Sequence, residues 1–212
     1  MRNYLSGAAK FFGFLALVPA CVGFVSAWSA GNGFLLFLLG IPVATLVLLV
    51  GGTLRAISGV KLARQTANAG ERLGLVLVAP VGMVLVVLLS LPLLSAGNFI
   101  GNSARLAFNM GDYEAIISKA RASHKPDWYA VDRGVTYSVD VGPPVRVAFN
   151  PAGFLDNWSG IIFDPTGDVM LADGFDSRSG RFRARDRVTK LFGGDLVSCR
   201  RLWRDYYDCS FT

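Results

Sequence analysis

The chain has 212 residues, 52% of them hydrophobic and 17% charged, with a formal net charge of +6. No Asp, Glu, Lys, Arg or His occurs from Phe11 to Leu54 or from Leu73 to Ala104, which argues against a wholly soluble chain, whose surface would need charges more often. Nucleic-acid binding is also disfavoured: residues 1–104 carry six basic groups against one acid, whereas 105–212 carry fifteen against fourteen, so the excess charge flanks apolar stretches, where it sets orientation and meets lipid headgroups.

Three apolar stretches, residues 11–28, 33–54 and 73–96, are about 27, 33 and 36 Å long as helices, against a hydrocarbon core of about 30 Å. The expectation is a transmembrane domain over residues 1–97 with three spans. Pro19, Pro42, Pro80 and Pro92 fall within them, which lipid-embedded helices tolerate because neighbouring groups re-satisfy the freed backbone. The short turn Ala30-Gly31-Asn32 predicts an antiparallel hairpin of the first two. Arg2 and Lys10 precede the first span, and Arg55, Lys61, Arg64 and Arg72 lie between the second and third. The positive-inside rule then puts the N-terminus in the cytoplasm, and everything after the third span outside it, in the cytoplasmic (inner) membrane of an envelope. Ala27-Trp28-Ser29 also reads as a signal-peptide cleavage site and Val18-Pro19-Ala20-Cys21 as a poor lipobox; neither would move the C-terminal domain.

In the first span, Ala9, Gly13, Ala16, Ala20, Gly23, Ala27 and Ala30 recur at helical spacing. Small residues on one face let helix backbones approach closely, and dispersion at such contacts drives association in lipid. The seam serves packing within the chain, a homo-oligomer or a separate membrane partner. No ionisable side chain lies inside the spans, which argues against proton relays and ion pathways.

Residues 98–212 are expected to form an extracytoplasmic α+β domain, one amphipathic helix packed on an antiparallel sheet of five or six strands. Gly97 to Ser103 reads as a linker. Leu106, Met110, Tyr113, Ile117 and Ala120 then form an apolar helix stripe, which should end near Ser123 ahead of Pro126. Strands are predicted over Val135–Val141, Val145–Phe149, Trp158–Phe163 and Val169–Ala172, with Asp164-Pro165-Thr166-Gly167 turning a hairpin between the last two.

Cys199 and Cys209 are equidistant from Arg204, so a hairpin turning there places them opposite one another for a cross-strand disulfide. Closing so short a loop contributes about 2.7 kcal/mol in the chain-entropy model and agrees with an oxidising compartment. Free thiols are the alternative; a metal site is not expected, because neither Cys-x-x-Cys nor a nearby His is present. Arg181, Arg183, Arg185 and Arg187 alternate, and as a strand would form a basic stripe able to meet an anionic lipid, polymer or protein; a solvated edge strand is the plainer reading. Asp156, Asp164, Asp168, Asp173 and Asp176 could bind calcium, but lack EF-hand order and sit in turns. Trp128 and Trp158 read as core, and Gly193-Gly194 as a turn.

No catalytic residues are assigned. His124 is the only histidine, at a helix end, and neither a nucleophile elbow nor a zincin motif occurs. No cofactor is expected. The leading expectation is an interaction module presented on the extracytoplasmic face of an envelope complex, with the bilayer and a protein partner or second copy as its contacts. The alternatives are an immunity or accessory protein acting through its helices, and an envelope enzyme using carboxylates.

Overall fold

The structure, a computed structural model, describes residues 1–29, 33–154, 157–171, 175–176, 181–182 and 186–212. Three long helices come first: α1 (Arg2–Trp28), α2 (Gly33–Arg64) and α3 (Ala69–Ser123). All three are long and apolar enough to cross a membrane. Then follow β1 (Asp127–Asp132), β2 (Val135–Asp140), β3 (Arg146–Phe154) and β4 (Asn157–Phe163), a two-residue ribbon of β5 (Phe175–Asp176) and β6 (Arg181–Phe182), a short helix α4 (Asp186–Thr189), β7 (Leu196–Trp203) and β8 (Tyr206–Phe211).

The chain divides into two compact units. The first holds residues 1–27 and 32–100, and the second residues 28–31 and 101–212. In the first, a small core of Ala8, Phe12, Leu15, Leu48, Ala79 and Val86 joins the helices. Outward, Leu17, Leu39, Leu88 and Leu91 are exposed, an apolar surface that water would not leave uncovered. Contact between α1 and α3 is backbone-close: a methyl group at Gly23 would strike the Leu94 carbonyl, and one at Gly97 the Ala20 carbonyl.

Gly97 therefore marks close approach rather than a break. The expected linker from Gly97 to Ser103 is helical throughout. Asn102, polar enough to suggest a loop, spends its amide on a 3.0 Å bond to Asp208. The segment from Arg55 to Arg72 is likewise mostly helix, with only residues 65–68 as a connection.

The second unit is an α+β arrangement, a six-stranded antiparallel sheet in the order β1-β2-β3-β4-β8-β7. The stripe Leu106, Tyr113, Ile117 and Ala120, with Ile116, packs on one sheet face against Val135, Tyr137, Val147, Phe149, Ile161 and Tyr206. Tyr113 stacks on Phe149 at 4.1 Å, and its hydroxyl accepts a 3.0 Å bond from Asn150. The alternate residues Ala148, Ile162, Tyr207 and Cys209 face the other way, where Val169, Val188, Leu191 and Phe192 cover them. Period-two alternation thus supplies both faces, each with its own lid.

Two expectations about strands are corrected. Val169 begins no strand: residues Asp168–Leu171 form a 3-10 turn, because the Asp164 carboxylate accepts bonds from Thr166 N at 3.1 Å and Val169 N at 3.1 Å and curls the chain. The neighbour of β4 is instead β8, in register Phe163↔Tyr206 to Trp158↔Phe211. Strand β1 had no expectation of its own; its signal was Arg133-Gly134, whose φ values of 52° and 76° make a two-residue hairpin turn to β2.

Candidate functional site

Cys199 and Cys209 form a disulfide, paired across β7 and β8 in the register centred on the turn at Arg204. Both are buried. The small-residue seam divides: Gly23 and Ala27 are buried and Ala16 and Ala20 half-buried, whereas Ala9 and Gly13 are exposed and Ala30 lies outside the described residues. Nothing stands within 4 Å of a Cβ built at Gly13.

Of the expected arginine stripe only the two ends are described. Arg181 falls in the two-residue β6, Arg183 and Arg185 lie outside the described residues, and Arg187 sits on α4, started by Asp186 at its first position as the helix dipole favours. Arg187 pairs with Asp140 at 3.1 Å and donates to the Pro143 carbonyl. Its charge is held against β2.

Two of the aspartates, Asp164 and Asp168, are similarly committed. Asp164 is 0% exposed and Arg146 2%, and the Arg146 Nε donates to Asp164 Oδ1 at 2.9 Å. Arg146 Nη2 donates to Thr166 Oγ1 at 3.0 Å and to Asp168 Oδ2 at 3.2 Å. This network, buried at Arg146 and Asp164 and half-exposed at Asp168, anchors the turn after β4. Asp156 and Asp173 lie outside the described residues, and among the described residues no three His, Cys, Asp or Glu side chains converge as metal ligands would. His124 is exposed at the end of α3 with φ 50°.

Asp208, on β8, is held above the ordinary carboxylate range by burial, against the opposing pull of the Asn102 amide and the Arg200 and Arg105 guanidiniums. Tyr206 is pushed up to about 12, chiefly by burial and then by Glu114 and Asp205. Neither group is among the described residues lining four hollows of the molecule.

A concave feature of this unit lies elsewhere, on the sheet face opposite α3. A cleft of about 480 Å³ is lined by Trp128, Tyr129, Ser138, Trp158, Phe192 and Gly193 among others. A second hollow of about 340 Å³ shares Trp158 and Thr212 with it and adds Asn157, Ser159 and Ser210. Trp128, expected in the core, is 57% exposed. It stands over Gly193, where a Cβ would approach its ring to 3.2 Å, while a Cβ at Gly194 would lie 3.0 Å from Trp158 Nε1. The glycine pair thus makes a floor low enough for two tryptophans. Phe192, Gly193 and Tyr129 all have left-handed backbones, at φ 55°, 71° and 51°; such conformations are costly for non-glycine residues and concentrate at functional sites.

No protein-family model, curated protein or solved structure matches the chain. The cleft is therefore a candidate site on physical grounds alone. Its walls are fixed by packing: Trp158 stacks on Phe211 at 3.9 Å, and the Tyr129 amide donates to Ser138 Oγ at 3.1 Å. Sequence reasoning missed it because Trp128, Trp158 and Gly193 are far apart in the chain and meet only through the strand order. The one local signal was Phe192-Gly193-Gly194, an aromatic beside two residues free to turn either way.

Proposed function

We propose that the protein is a membrane-anchored binding module: three helices cross the cytoplasmic membrane and display the α+β domain outside the cytoplasm, where its aromatic cleft engages a component of the envelope. The observation that carries this reading is α3, one unbroken helix of 55 residues whose first part is an apolar span and whose last part is a layer of the domain's core. The basic residues flanking the spans support the orientation, and the disulfide favours an oxidising compartment.

The carboxylate-enzyme alternative loses support, because Asp164 and Asp168 are engaged by Arg146 and no carboxylate side chain lines the cleft among the described residues. A partner protein or second copy in the membrane would use the exposed Ala9 and Gly13 end of α1.

Orientation is tested by a membrane-impermeant maleimide on intact cells producing a Cys21→Ser variant, which removes the free thiol of α1. Labelling of Cys199 and Cys209 only after reduction is the expected result. Labelling only after lysis would place the domain inside and overturn the reading.

A further inference from the structure

The aromatic cleft has a definite chemical character. No Lys, Arg, Asp or Glu side chain is among the described residues lining either hollow, so a phosphate or carboxylate entering it would lose hydration without gaining a counter-charge. What the hollows offer is aromatic surface and neutral hydrogen-bonding groups. Ser138 is 3% exposed and lies at the wall with its hydroxyl proton uncommitted, while Asn157, Ser159 and Ser210 edge the second hollow. Trp158 borders both hollows, and its Nε1 bonds to no described residue.

From these features we infer that the cleft binds a neutral glycan chain, with consecutive sugar rings in the two hollows on either side of Trp158; the inference rests on the binding-module reading above. A pyranose has an apolar face of C–H bonds that packs on aromatic rings, and a rim of hydroxyls that pair with amides, hydroxyls and indole N–H groups without needing charge. Trp128 and Tyr129, whose rings meet edge-on at 6.1 Å, are both largely exposed, as platforms for such a face must be. Two adjoining hollows suit a chain of rings better than one compact small molecule.

An extended peptide is the competing occupant, adding to the free edge at β1. That edge is interrupted at the cleft: the β1–β2 register shifts between Asp127 and Ala130, Tyr129 is left-handed, and its N–H is spent on Ser138. A bulge of this kind blunts strand addition.

The test uses the full-length protein in a detergent without a sugar headgroup, titrated with chitotetraose, cellotetraose and maltotetraose and followed by tryptophan fluorescence and calorimetry. At least one tetrasaccharide should bind with a Kd of about 1 mM or tighter, its monosaccharide more weakly. Trp128→Ala should weaken that binding roughly tenfold or more, as truncating an aromatic anchor does. Trp203→Ala, which removes an exposed tryptophan on β7, should leave binding unchanged. Because Trp128 is largely exposed, its variant should melt as the native protein does; if it does not, Ser138→Ala, read in the same titration, takes its place.

Absence of binding by all three sugars, equal binding by Trp128→Ala, or saturable binding of neutral pentapeptides in their stead would overturn the inference. A photo-crosslinker at position 128 in cells separates this failure from that of the parent reading. Protein adducts without sugar binding would remove the glycan and leave the binding module standing, whereas cytoplasmic thiol labelling would remove the module itself.

Discussion

Arg146 and Asp164 show what burial does to an ion pair. Their desolvation is offset by further partners: Thr166 gives both its amide and, at 2.7 Å, its hydroxyl to Asp164 Oδ1, Val169 N donates to Asp164 Oδ2, and Asp168 accepts from the guanidinium's Nη2. Removing one partner strands the other in the interior. Asp164→Asn should therefore cost about 3–5 kcal/mol in chemical denaturation, far more than a turn aspartate would. A loss below about 1 kcal/mol, the range of exposed pairs, would mean that the network is solvated. Asp208 predicts the opposite kind of effect. Burial raises its pKa from the ordinary 3.8, so the folded state holds the proton more tightly than the unfolded chain. The stability this contributes is complete below about pH 3.8 and is lost as pH rises through the raised value. Asp208→Asn should flatten that fall and melt at neutral pH no lower than the native protein; a steeper fall in thermal melts across pH would contradict the assignment.

At the scale of elements, α1 separates two roles that its spacing does not distinguish. Gly23 faces α3 so closely that any side chain meets backbone, whereas Gly13 faces open space. Gly23→Leu should disrupt the folded helical unit, read as loss of the monodisperse species on size exclusion in detergent. Gly13→Leu should fold normally, and would weaken only association with another chain. Equal behaviour of the two variants would show that the seam acts as a whole. Helix α3 makes a related point. Its polar, glycine-containing stretch from Gly97 to Ser103 resembles a linker in composition, yet the glycine is needed for approach to Ala20 and Asn102 for its bond to Asp208. Composition alone does not reveal that a polar side chain inside a helix has a tertiary partner.

Over the whole molecule, α3 belongs to both units, and its final third is indispensable to the second. Residues 101–212 alone should be soluble, melt cooperatively and carry the Cys199–Cys209 disulfide, because they hold the stripe that covers Val135, Tyr137, Val147 and Phe149. A fragment starting at Lys125 should aggregate, since that sheet face would be bare. Circular dichroism and light scattering of the two fragments check this, and a folded shorter fragment would show that the second layer of Val169, Leu191 and Phe192 suffices. Much of this plan was readable in the chain itself. The long apolar stretches, the stripe from Leu106 to Ala120, the strands at Val135 and Trp158 and the cysteine register about Arg204 all follow from local periodicity, which one element expresses by itself. What only the tertiary structure decided were the facts that depend on which elements become neighbours. The pairing of β4 with β8, the capture of Asp164 by Arg146 and the meeting of Trp128 with Trp158 over Gly193-Gly194 join residues far apart in sequence, whose contacts are set by strand order and carry no periodic trace.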